Sequence, residues 1–442
     1  MPDTLREIAV LLSQLFQDGQ ADGSISAQDF RDMIVSLDVR RLATSKFGTM
    51  QPFPAMQRLI GLPPAMATPP TVTQGTANAA STIASAVATA ATVNSSGTWI
   101  KNTAVPWKYS GGKVDVVSQA ANALLTVCSF NCNALAGGNM FVESMFDGSV
   151  FEFGTRGISG NAAFRILVDG QYVSSTPTIG PPGDGALYWQ KVDFSGVRAV
   201  RRIRIELTNQ CGFRGFNVGP NDTLWPSSLP DGPRSIWMGD SKTNGTGATA
   251  QISGFVDRAT KLLGWSRDAW TSGIGGAGYL NVTQPTFRSR VVTDVINNSP
   301  EIVVIQGGGN DSAFSAAQIQ AEATTLYAQI RAALPYVKLI VIGDLIASGT
   351  PTSFQVSMRD ALKAALLAGD PNGPNLFIDP IVSASAVANT LGFITGTGKV
   401  GATTGSGNAD LLTGSDGIHP TQSGDDYFGD RIYQAIAAPM PF

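Results

Sequence analysis

The sequence predicts a multidomain protein in which a C-terminal three-layer α/β domain follows an all-β sandwich or jelly-roll domain and a short N-terminal helical segment. Three observations predict this order. Apolar residues recur at three- and four-residue spacing over residues 1–45. Short alternating stretches separated by Gly, Asn and Asp occupy residues 98–230. Apolar runs of strand length then alternate with helical periodicity over residues 231–442.

The composition limits the classes of partner. The chain has 442 residues, a formal net charge of -3 and no long Lys/Arg cluster, so we expect no nucleic-acid partner. No apolar stretch reaches the roughly 18 residues that a membrane span requires, so we expect no membrane partner. The first residues carry acids where a secretory signal peptide carries a basic region, which predicts that no signal peptide is present.

The N-terminal segment, residues 1–45, has the pattern of a helical hairpin. A core of this size is small, so we expect the hairpin to attach to another protein or to oligomerise. The connecting residues 18–23 loosely match a calcium-binding loop, but Gln20 and Asp29 stand where Asp or Asn and Glu are usual. A glycine-rich turn is the preferred interpretation, and we expect no metal site.

Residues 46–97 change character. Six prolines precede a run over residues 76–96 that is made almost wholly of Ala, Thr, Ser, Val and Asn. This composition is typical of a flexible linker or of a weakly helical stalk that needs partner chains, and both interpretations stay open.

The predicted β-sandwich, residues 98–230, contains a hairpin signal at residues 168–172. A sandwich of this kind could bind carbohydrate through exposed aromatic side chains, although aromatic residues in a sandwich more often belong to the core. The four candidates are Trp107, Tyr109, Tyr188 and Trp189.

The three cysteines are too few for a disulfide framework. A Cys128–Cys132 or a Cys132–Cys211 bridge is an alternative, but we expect buried free thiols.

The C-terminal part, residues 231–442, alternates buried strands with helices. The strands are predicted at 236–238, 301–306, 338–342 and 375–378, and the helices near 252–264, 316–333, 353–368 and 421–437. In an open parallel sheet, ligands bind at the carboxyl ends of the strands. Polar and glycine-rich segments follow several of these predicted strands.

Four such segments carry the chemistry. They are Gly239-Asp240-Ser241, the glycine-rich residues 273–278, Gly308-Gly309-Asn310-Asp311, and Asp416-Gly417-Ile418-His419. The last segment contains His419, the only histidine of the chain. It is therefore the only candidate for an imidazole base that titrates near neutral pH. We expect Ser241 in the first turn of a helix, where its backbone N–H points outward.

Together and in this order, the four segments resemble the blocks of the SGNH (GDSL-type) hydrolases. The resemblance covers residues 231–442 and implies a flavodoxin-like three-layer fold. It also implies that Ser241 is the nucleophile, His419 the base, and Asp416 the residue that orients the imidazole. The implied oxyanion hole consists of the backbone N–H groups of Ser241 and Gly276 and the side-chain amide of Asn310.

The resemblance implies no cofactor and no metal. Two features depart from the commonest family pattern. Lys242 and Thr243 follow the serine in place of a small hydroxyl-rich turn, and Thr271 stands where many members have Asn before the second glycine loop. We interpret Asp240 and Asp311 as hydrogen-bond partners of nearby turn N–H groups.

The resemblance implies a serine esterase that removes short acyl groups, in particular O-acetyl groups, from a carbohydrate such as a bacterial surface polysaccharide. The N-terminal hairpin and the Ala/Thr/Ser-rich segment resemble the attachment region of bacteriophage tail fibres and tailspikes. That second resemblance implies a virion or extracellular location, tail proteins as partners and a homotrimer. The alternatives are a non-catalytic glycan-binding virion protein, and a lipase or thioesterase of the same fold.

Overall fold

The structure is a computed structural model of the chain. It describes residues 61–83, 88–89, 106–117, 127–131, 139–157, 160, 162–227, 229, 232–381 and 392–437. The predicted helical hairpin, the calcium-loop alternative, Cys132 and most of the proposed stalk lie outside the described residues.

The first domain consists of two antiparallel sheets, each with seven strands among the described residues. In one sheet the order is β1-β11-β7-β13-β5-β4, with β2 added to β13, and in the other it is β10-β8-β12-β6-β14, with β3 added to β6 and β9 to β8. The bounds are β1 Thr71–Gln74, β2 Ala88–Thr89, β3 Lys108–Ser110, β4 Lys113–Val117, β5 Val127–Asn131, β6 Asn139–Gly148, β7 Val150–Gly157, β8 Ala163–Val168, β9 Gln171–Tyr172, β10 Thr178–Ile179, β11 Leu187–Asp193, β12 Ala199–Thr208, β13 Cys211–Val218 and β14 Thr223–Pro226.

Aromatic side chains fill the core between these sheets. The ring of Trp107 packs edge-on against Phe213 at a centroid distance of 5.7 Å. All four aromatic residues considered as sugar-stacking candidates are buried, with Trp107 completely inaccessible and Tyr109, Tyr188 and Trp189 at most 8% exposed. Trp107 and Tyr109 belong to the apolar core between the sheets, so the interpretation as core residues is confirmed for these two. Tyr188 and Trp189 are buried but are not part of that core cluster.

The predicted hairpin at residues 168–172 is present. Asp169 and Gly170 form its turn with φ angles of 51° and 76°, and a left-handed pair of this kind matches the twist of the two flanking strands. The turn joins β8 to the short strand β9.

The β-domain begins upstream of the predicted boundary at residue 98. Strand β1 pairs with β11 and strand β2 pairs with β13, so these parts of residues 46–97 are sheet and not linker or stalk. Three of the four residues of β1 are exposed, because it is an edge strand. An exposed edge strand carries little apolar patterning, and its pairing with residues more than 100 positions later decides its conformation.

Cys211 is a free and fully buried thiol, as expected from the small number of cysteines. Burial raises its pKa, because the surrounding apolar side chains disfavour the thiolate. Its environment is that of a core residue and not that of a reactive cysteine.

The second domain is a three-layer α/β unit around a five-stranded parallel sheet in the order β16-β15-β17-β18-β19. Its strands are β15 Ser235–Gly239, β16 Ala269–Gly273, β17 Ile302–Gln306, β18 Lys338–Ile342 and β19 Asn375–Ile378. Its helices are α1 Phe255–Leu263, α2 Phe287–Asp294, α3 Ala316–Ala333, α4 Ser353–Gly369, α5 Ala409–Leu412 and α6 Gln422–Ala437.

Each face of this sheet has its own core. Helices α2, α3 and α4 pack against one face, and helices α1 and α6 against the other. Ser315 and Thr352 begin α3 and α4 as capping boxes with Gln318 and Gln355, which explains why both helices start where the sequence predicts.

Strand β16 and helix α2 are absent from the sequence prediction. The strand reads Ala-Trp-Thr-Ser-Gly, with no continuous apolar run, although all five of its residues are buried. The helix reads Phe-Arg-Ser-Arg-Val-Val-Thr-Asp and has a weak amphipathic pattern. Their neighbours in the tertiary structure, and not a local signal, set these two elements.

A buried network of charges joins the two domains. Arg165 on β8 contacts Glu206 on β12 at 2.6 Å and Asp257 on α1 at 2.9 Å. Lys261 on α1 contacts the same Glu206 at 3.0 Å. These four side chains are at most 7% exposed, so the network lies inside the protein.

None of the helices in the described ranges is both long enough and apolar enough to cross a membrane.

Candidate active site

Sheet order brings three of the four predicted segments together. Strand β15 lies between β16 and β17, so the turn that contains Ser241 has the loops after those two strands as its immediate neighbours. Gly276 lies in the loop after β16, and Asn310 lies in the loop after β17. The segment of Asp416 and His419 reaches the same edge directly before α6.

Ser241, His419 and Asp416 form one hydrogen-bonded chain. The Nε2 atom of His419 lies 2.9 Å from Oγ of Ser241, and its Nδ1 atom lies 2.7 Å from Oδ2 of Asp416. An ionised carboxylate only accepts hydrogen bonds, so Nδ1 carries the proton and Nε2 is left to accept one from the serine hydroxyl.

The other oxygen of Asp416 holds the backbone of its own turn. Oδ1 accepts from the N–H of Ile418 at 2.9 Å and from that of His419 at 3.0 Å. Partial desolvation alone would raise the pKa of Asp416, but the hydrogen bonds from the His419 ring and from these two N–H groups outweigh it and lower the pKa to about 2. The carboxylate is therefore ionised at any pH near neutrality.

Three donors lie on the turns that follow β15, β16 and β17, which are neighbours in the sheet. Among the described residues, the N–H groups of Ser241 and Gly276 donate no hydrogen bond within the protein. The amide of Asn310 donates one hydrogen to the carbonyl of Ala277 at 2.9 Å, which leaves its second hydrogen for a ligand. The φ angle of Gly276 is +78°, a conformation that favours glycine at this position.

A buried carboxylate fixes two of these loops to one another. Asp311 accepts from the backbone N–H groups of Tyr279, Leu280 and Asn281 at 2.8 to 2.9 Å. Asp240 similarly accepts from the N–H of Lys242 at 2.9 Å, and burial raises its pKa. The interpretation of Asp240 and Asp311 as partners of turn N–H groups is confirmed.

The prediction that Ser241 occupies the first turn of a helix is wrong. Residues 241–245 form a series of turns in which the N–H of Thr246 donates to the carbonyl of Ser241, and α1 begins only at Phe255. Gly245 and Gly247 have φ angles of +82° and +105°, which end any helical path after the serine. The N–H of Ser241 is thus presented by a turn and not by a helix terminus.

Sequence reasoning missed a buried ion pair beneath the serine. The Nζ atom of Lys242 donates to Asp344 at 2.8 Å, with the two side chains 8% and 4% exposed. Desolvation by itself would lower the pKa of Lys242, but Asp344 and Asp240 outweigh it and raise the pKa. One sequence feature could have indicated this ion pair. Asp344 follows β18 by two residues, which places it at the same edge of the sheet as Lys242.

A parallel α/β sheet with a Ser–His–Asp chain and three donors at its carboxyl edge defines the class of SGNH hydrolase folds. Residues 237–427 match the model of the GDSL-like Lipase/Acylhydrolase family, so this part of the chain is a GDSL-like acylhydrolase domain. The predicted fold class is confirmed for the α/β domain and for the β-rich domain that precedes it.

Several solved structures share this arrangement. A family two carbohydrate esterase from Clostridium thermocellum, in complex with cellohexaose, is 14% identical, with a TM-score of 0.53 over 75% of this chain and 98% of that chain. An active site mutant of a family two carbohydrate esterase from the same organism is 15% identical, with a TM-score of 0.52 over 75% of this chain and 98% of that chain.

The salicylyl-acyltransferase SsfX3, from a tetracycline biosynthetic pathway, is 14% identical, with a TM-score of 0.50 over 77% of this chain and 97% of that chain. At these identities the three structures show a common fold. No curated protein sequence matches the chain.

Proposed function

We propose that the protein is a serine esterase that removes short acyl groups, in particular O-acetyl groups, from a carbohydrate. The observation that carries this proposal is the continuous chain from Ser241 Oγ through His419 to Asp416, at 2.9 and 2.7 Å, beside three N–H donors. Such a chain is the arrangement that activates a serine hydroxyl for attack on an acyl carbonyl.

The geometry supports a two-step reaction. Ser241 Oγ attacks the ester carbonyl carbon while its proton passes to Nε2 of His419. The carbonyl oxygen becomes an oxyanion that accepts from Ser241 N–H, Gly276 N–H and the Asn310 amide. The tetrahedral intermediate collapses, the C–O bond to the sugar breaks, and His419 gives its proton to the departing sugar oxygen, which leaves as a hydroxyl group.

Water completes the cycle. It attacks the acyl-serine and gives its proton to His419, and a second oxyanion forms in the same donor pocket. Collapse of that intermediate releases the carboxylic acid and returns the proton to Ser241 Oγ. The net reaction consumes one ester and one water and yields one alcohol and one acid.

Exposure of the catalytic groups supports a large alcohol portion. The side chain of His419 is 22% exposed and that of Asp416 is 49% exposed, so the base side of the serine opens to solvent. A sugar of a polymer can approach such an open site without entering the protein. The neighbouring carbohydrate esterase in complex with cellohexaose also supports a carbohydrate substrate.

Our proposal includes a setting on a bacteriophage tail or in the extracellular space, with a bacterial surface polysaccharide as substrate. Its support is the sequence of residues 1–45, whose apolar spacing predicts a helical hairpin. A homotrimer and tail proteins as partners belong to the same proposal. Light scattering on the full chain tests the trimer, and a monomer at micromolar concentration would contradict it.

The decisive experiment combines a series of acyl chain lengths with a serine variant. Two activities are measured: acetate release from chemically acetylated glycans, and hydrolysis of 4-nitrophenyl esters of increasing chain length. The proteins are the wild type, Ser241→Ala and the exposed-surface control Ser357→Ala. We expect activity to fall with acyl length and Ser241→Ala to lose on the order of 10⁶-fold in kcat.

Each alternative predicts a different result. Activity that rises with acyl length would favour a lipase or thioesterase. Glycan binding without serine-dependent release from any ester would favour a non-catalytic binding protein. Equal losses in Ser241→Ala and Ser357→Ala would mean that the serine has no special role.

A further inference from the structure

A groove lies between the β-domain and the α/β domain, next to the candidate active site. Its volume is about 320 Å³, which is at the lower end of the range of roughly 300–1,000 Å³ found for ligand pockets. Ser175 and Thr176 of the β-domain line one wall, and Thr249, Ser253 and Gln422 of the α/β domain line the other.

The groove continues along the β-domain. A second cavity of about 170 Å³ shares Arg165 and Thr176 with it and extends toward Pro69 and Pro70. Two adjoining cavities with shared walls form an elongated depression, and this shape suits a chain better than a compact small molecule.

One end of the groove lies beside the catalytic histidine. Gln422 follows His419 by three residues, so their α-carbons are at most about 11 Å apart. The side chain of Gln422 also holds the loop after the serine, because its Oε1 accepts from the N–H of Thr249 at 2.8 Å. In that loop Gly247 packs against the backbone of Pro420, where an added β-carbon would overlap the carbonyl oxygen.

The walls have a fixed relative position. The network of Arg165, Glu206, Asp257 and Lys261 crosses the domain interface directly beneath the groove. Arg165 also donates to the carbonyl of Ile252 at 2.7 Å. A preformed groove of this kind binds a ligand without a large cost in conformational entropy.

The chemistry of the lining favours an uncharged polyhydroxylated ligand. Each charged side chain of the groove already has a partner of opposite charge, as with Arg258, which contacts Asp430 at 2.7 Å and Asp426 at 3.6 Å. Among the described residues, the hydroxyls of Ser175, Thr176 and Thr249 make no hydrogen bond within the protein. They are available to the hydroxyl groups of a sugar.

We propose that this interdomain groove binds the neutral glycan chain that carries the scissile ester, so that the β-domain sets the preference for polymer over monosaccharide. The inference rests on the proposed esterase function and extends it, because it assigns the sugar units beyond the reacting one to named residues. It also gives the fusion of the two domains a function, since neither domain alone forms both walls.

The experiment fills the groove without touching the catalytic groups. Thr176→Trp places an indole at the wall that the two cavities share, and Ser175→Trp places one in the larger cavity. Thr325→Trp on the exposed face of α3 is the matched control. The substrates are 4-nitrophenyl acetate, an acetylated monosaccharide, and whichever polymer in a panel of chemically acetylated glycans the wild type hydrolyses best.

We expect the wild type to prefer the polymer over the acetylated monosaccharide. Thr176→Trp should lower kcat/KM on the polymer by about tenfold through KM, the equivalent of losing one good contact, with 4-nitrophenyl acetate hydrolysis unchanged. A wild type without polymer preference, or a Thr176→Trp variant that hydrolyses the polymer like Thr325→Trp, would overturn the proposal.

A binding measurement separates this inference from the esterase proposal. Affinity electrophoresis of Ser241→Ala in gels containing the same glycans reports chain binding without catalysis. Retarded migration that is lost in Ser241→Ala/Thr176→Trp supports the groove even if no ester is hydrolysed. Equal migration of the two variants in every glycan would refute the groove even if the esterase is active.

Discussion

His419 is the only histidine of the chain, and its two ring nitrogens join the serine to the carboxylate. Each nitrogen therefore has one role, and the role depends on which nitrogen is protonated. Asp416 sets that choice, because its ionised Oδ2 requires a proton on Nδ1.

Asp416→Asn tests the control of the tautomer. The asparagine oxygen still accepts from the N–H groups of residues 418 and 419, but an amide NH₂ facing Nδ1 forces the proton onto Nε2. We expect kcat to fall by roughly 10⁴-fold, as for the equivalent change in serine proteases of another fold. Circular dichroism should show an unchanged fold, and a loss of less than tenfold would contradict the proposed role.

The low pKa of Asp416 gives a second prediction, for stability. The pKa of Asp416 is about 2 in the folded state and has an ordinary value of 3.8, so the ionised carboxylate stabilises the fold. This contribution is complete above pH 3.8 and is lost as the pH falls toward 2. The difference in unfolding free energy between wild type and Asp416→Asn should therefore shrink across this interval. Urea titrations at several pH values measure it, and a difference that grows on acidification would contradict the assignment.

Asn310 tests the oxyanion pocket. Asn310→Ala removes one of three donors, and we expect kcat to fall by about 10²–10³-fold with little change in KM, because the oxyanion exists only along the reaction path. Asn221→Ala, at an exposed position of the β-domain, is the control. An effect confined to KM would mean that Asn310 binds substrate and does not stabilise the oxyanion.

At the scale of elements, the site depends on three turns that follow three adjacent strands. Thr243 donates to Gln306 at the end of β17 at 2.7 Å, and Lys242 donates to Asp344 after β18. The carboxylate of Asp344 lies directly against Gly309, where an added β-carbon would be 2.7 Å from Oδ2. The ion pair therefore supports both the serine turn and the loop that carries Asn310.

Lys242→Met should strongly destabilise the fold. It leaves Asp344 buried without its cation, which typically costs about 3–5 kcal/mol, whereas Lys242→Met/Asp344→Leu removes both charges and should be far less destabilising. Chemical denaturation of the single and double variants measures the difference. Additive losses in the double variant would show that the two side chains do not act as a pair.

At the scale of the whole molecule, the two domains share one buried charge cluster. Burial alone would raise the pKa of Glu206, but the charges of Lys261, Arg165 and Arg204 outweigh it and hold the pKa far below its usual range. Arg165 and Glu206 belong to the β-domain, whereas Lys261 belongs to α1. We therefore expect the β-domain and the α/β domain to unfold together.

Glu206→Gln tests this coupling. It removes the carboxylate that Arg165, Lys261 and Arg204 share and leaves Asp257 as the remaining salt-bridge partner of Arg165 and Lys261. We expect a loss of about 3–5 kcal/mol in unfolding free energy. Because the folded-state pKa is depressed, the contribution of Glu206 is complete above its ordinary pKa of 4.5 and is lost on acidification. Two separate unfolding transitions in the wild type by calorimetry would contradict a common unit.

Much of the α/β domain could be predicted because its signals are local. Four of its five strands and its three longest helices follow from apolar runs, periodicity and caps such as Ser315 and Thr352. Strand β16 gave no such signal, because its Thr-Ser-Gly end is polar in composition yet buried by neighbouring elements. The sequence prediction placed the residues of β1 in a linker or stalk. The reason is that an exposed edge strand has little apolar patterning and therefore resembles a linker.

Most strands and long helices of the α/β domain, and the four segments that carry the chemistry, could be read from the chain, because turns, periodicities and a single histidine are properties of short stretches. The folded arrangement was needed to place β15 between β16 and β17, to pair Lys242 with Asp344, and to show that two domains enclose a groove. These features join residues that are far apart in the sequence, such as Thr176 and Gln422 in the groove, and chain folding rather than local preference brings such residues together.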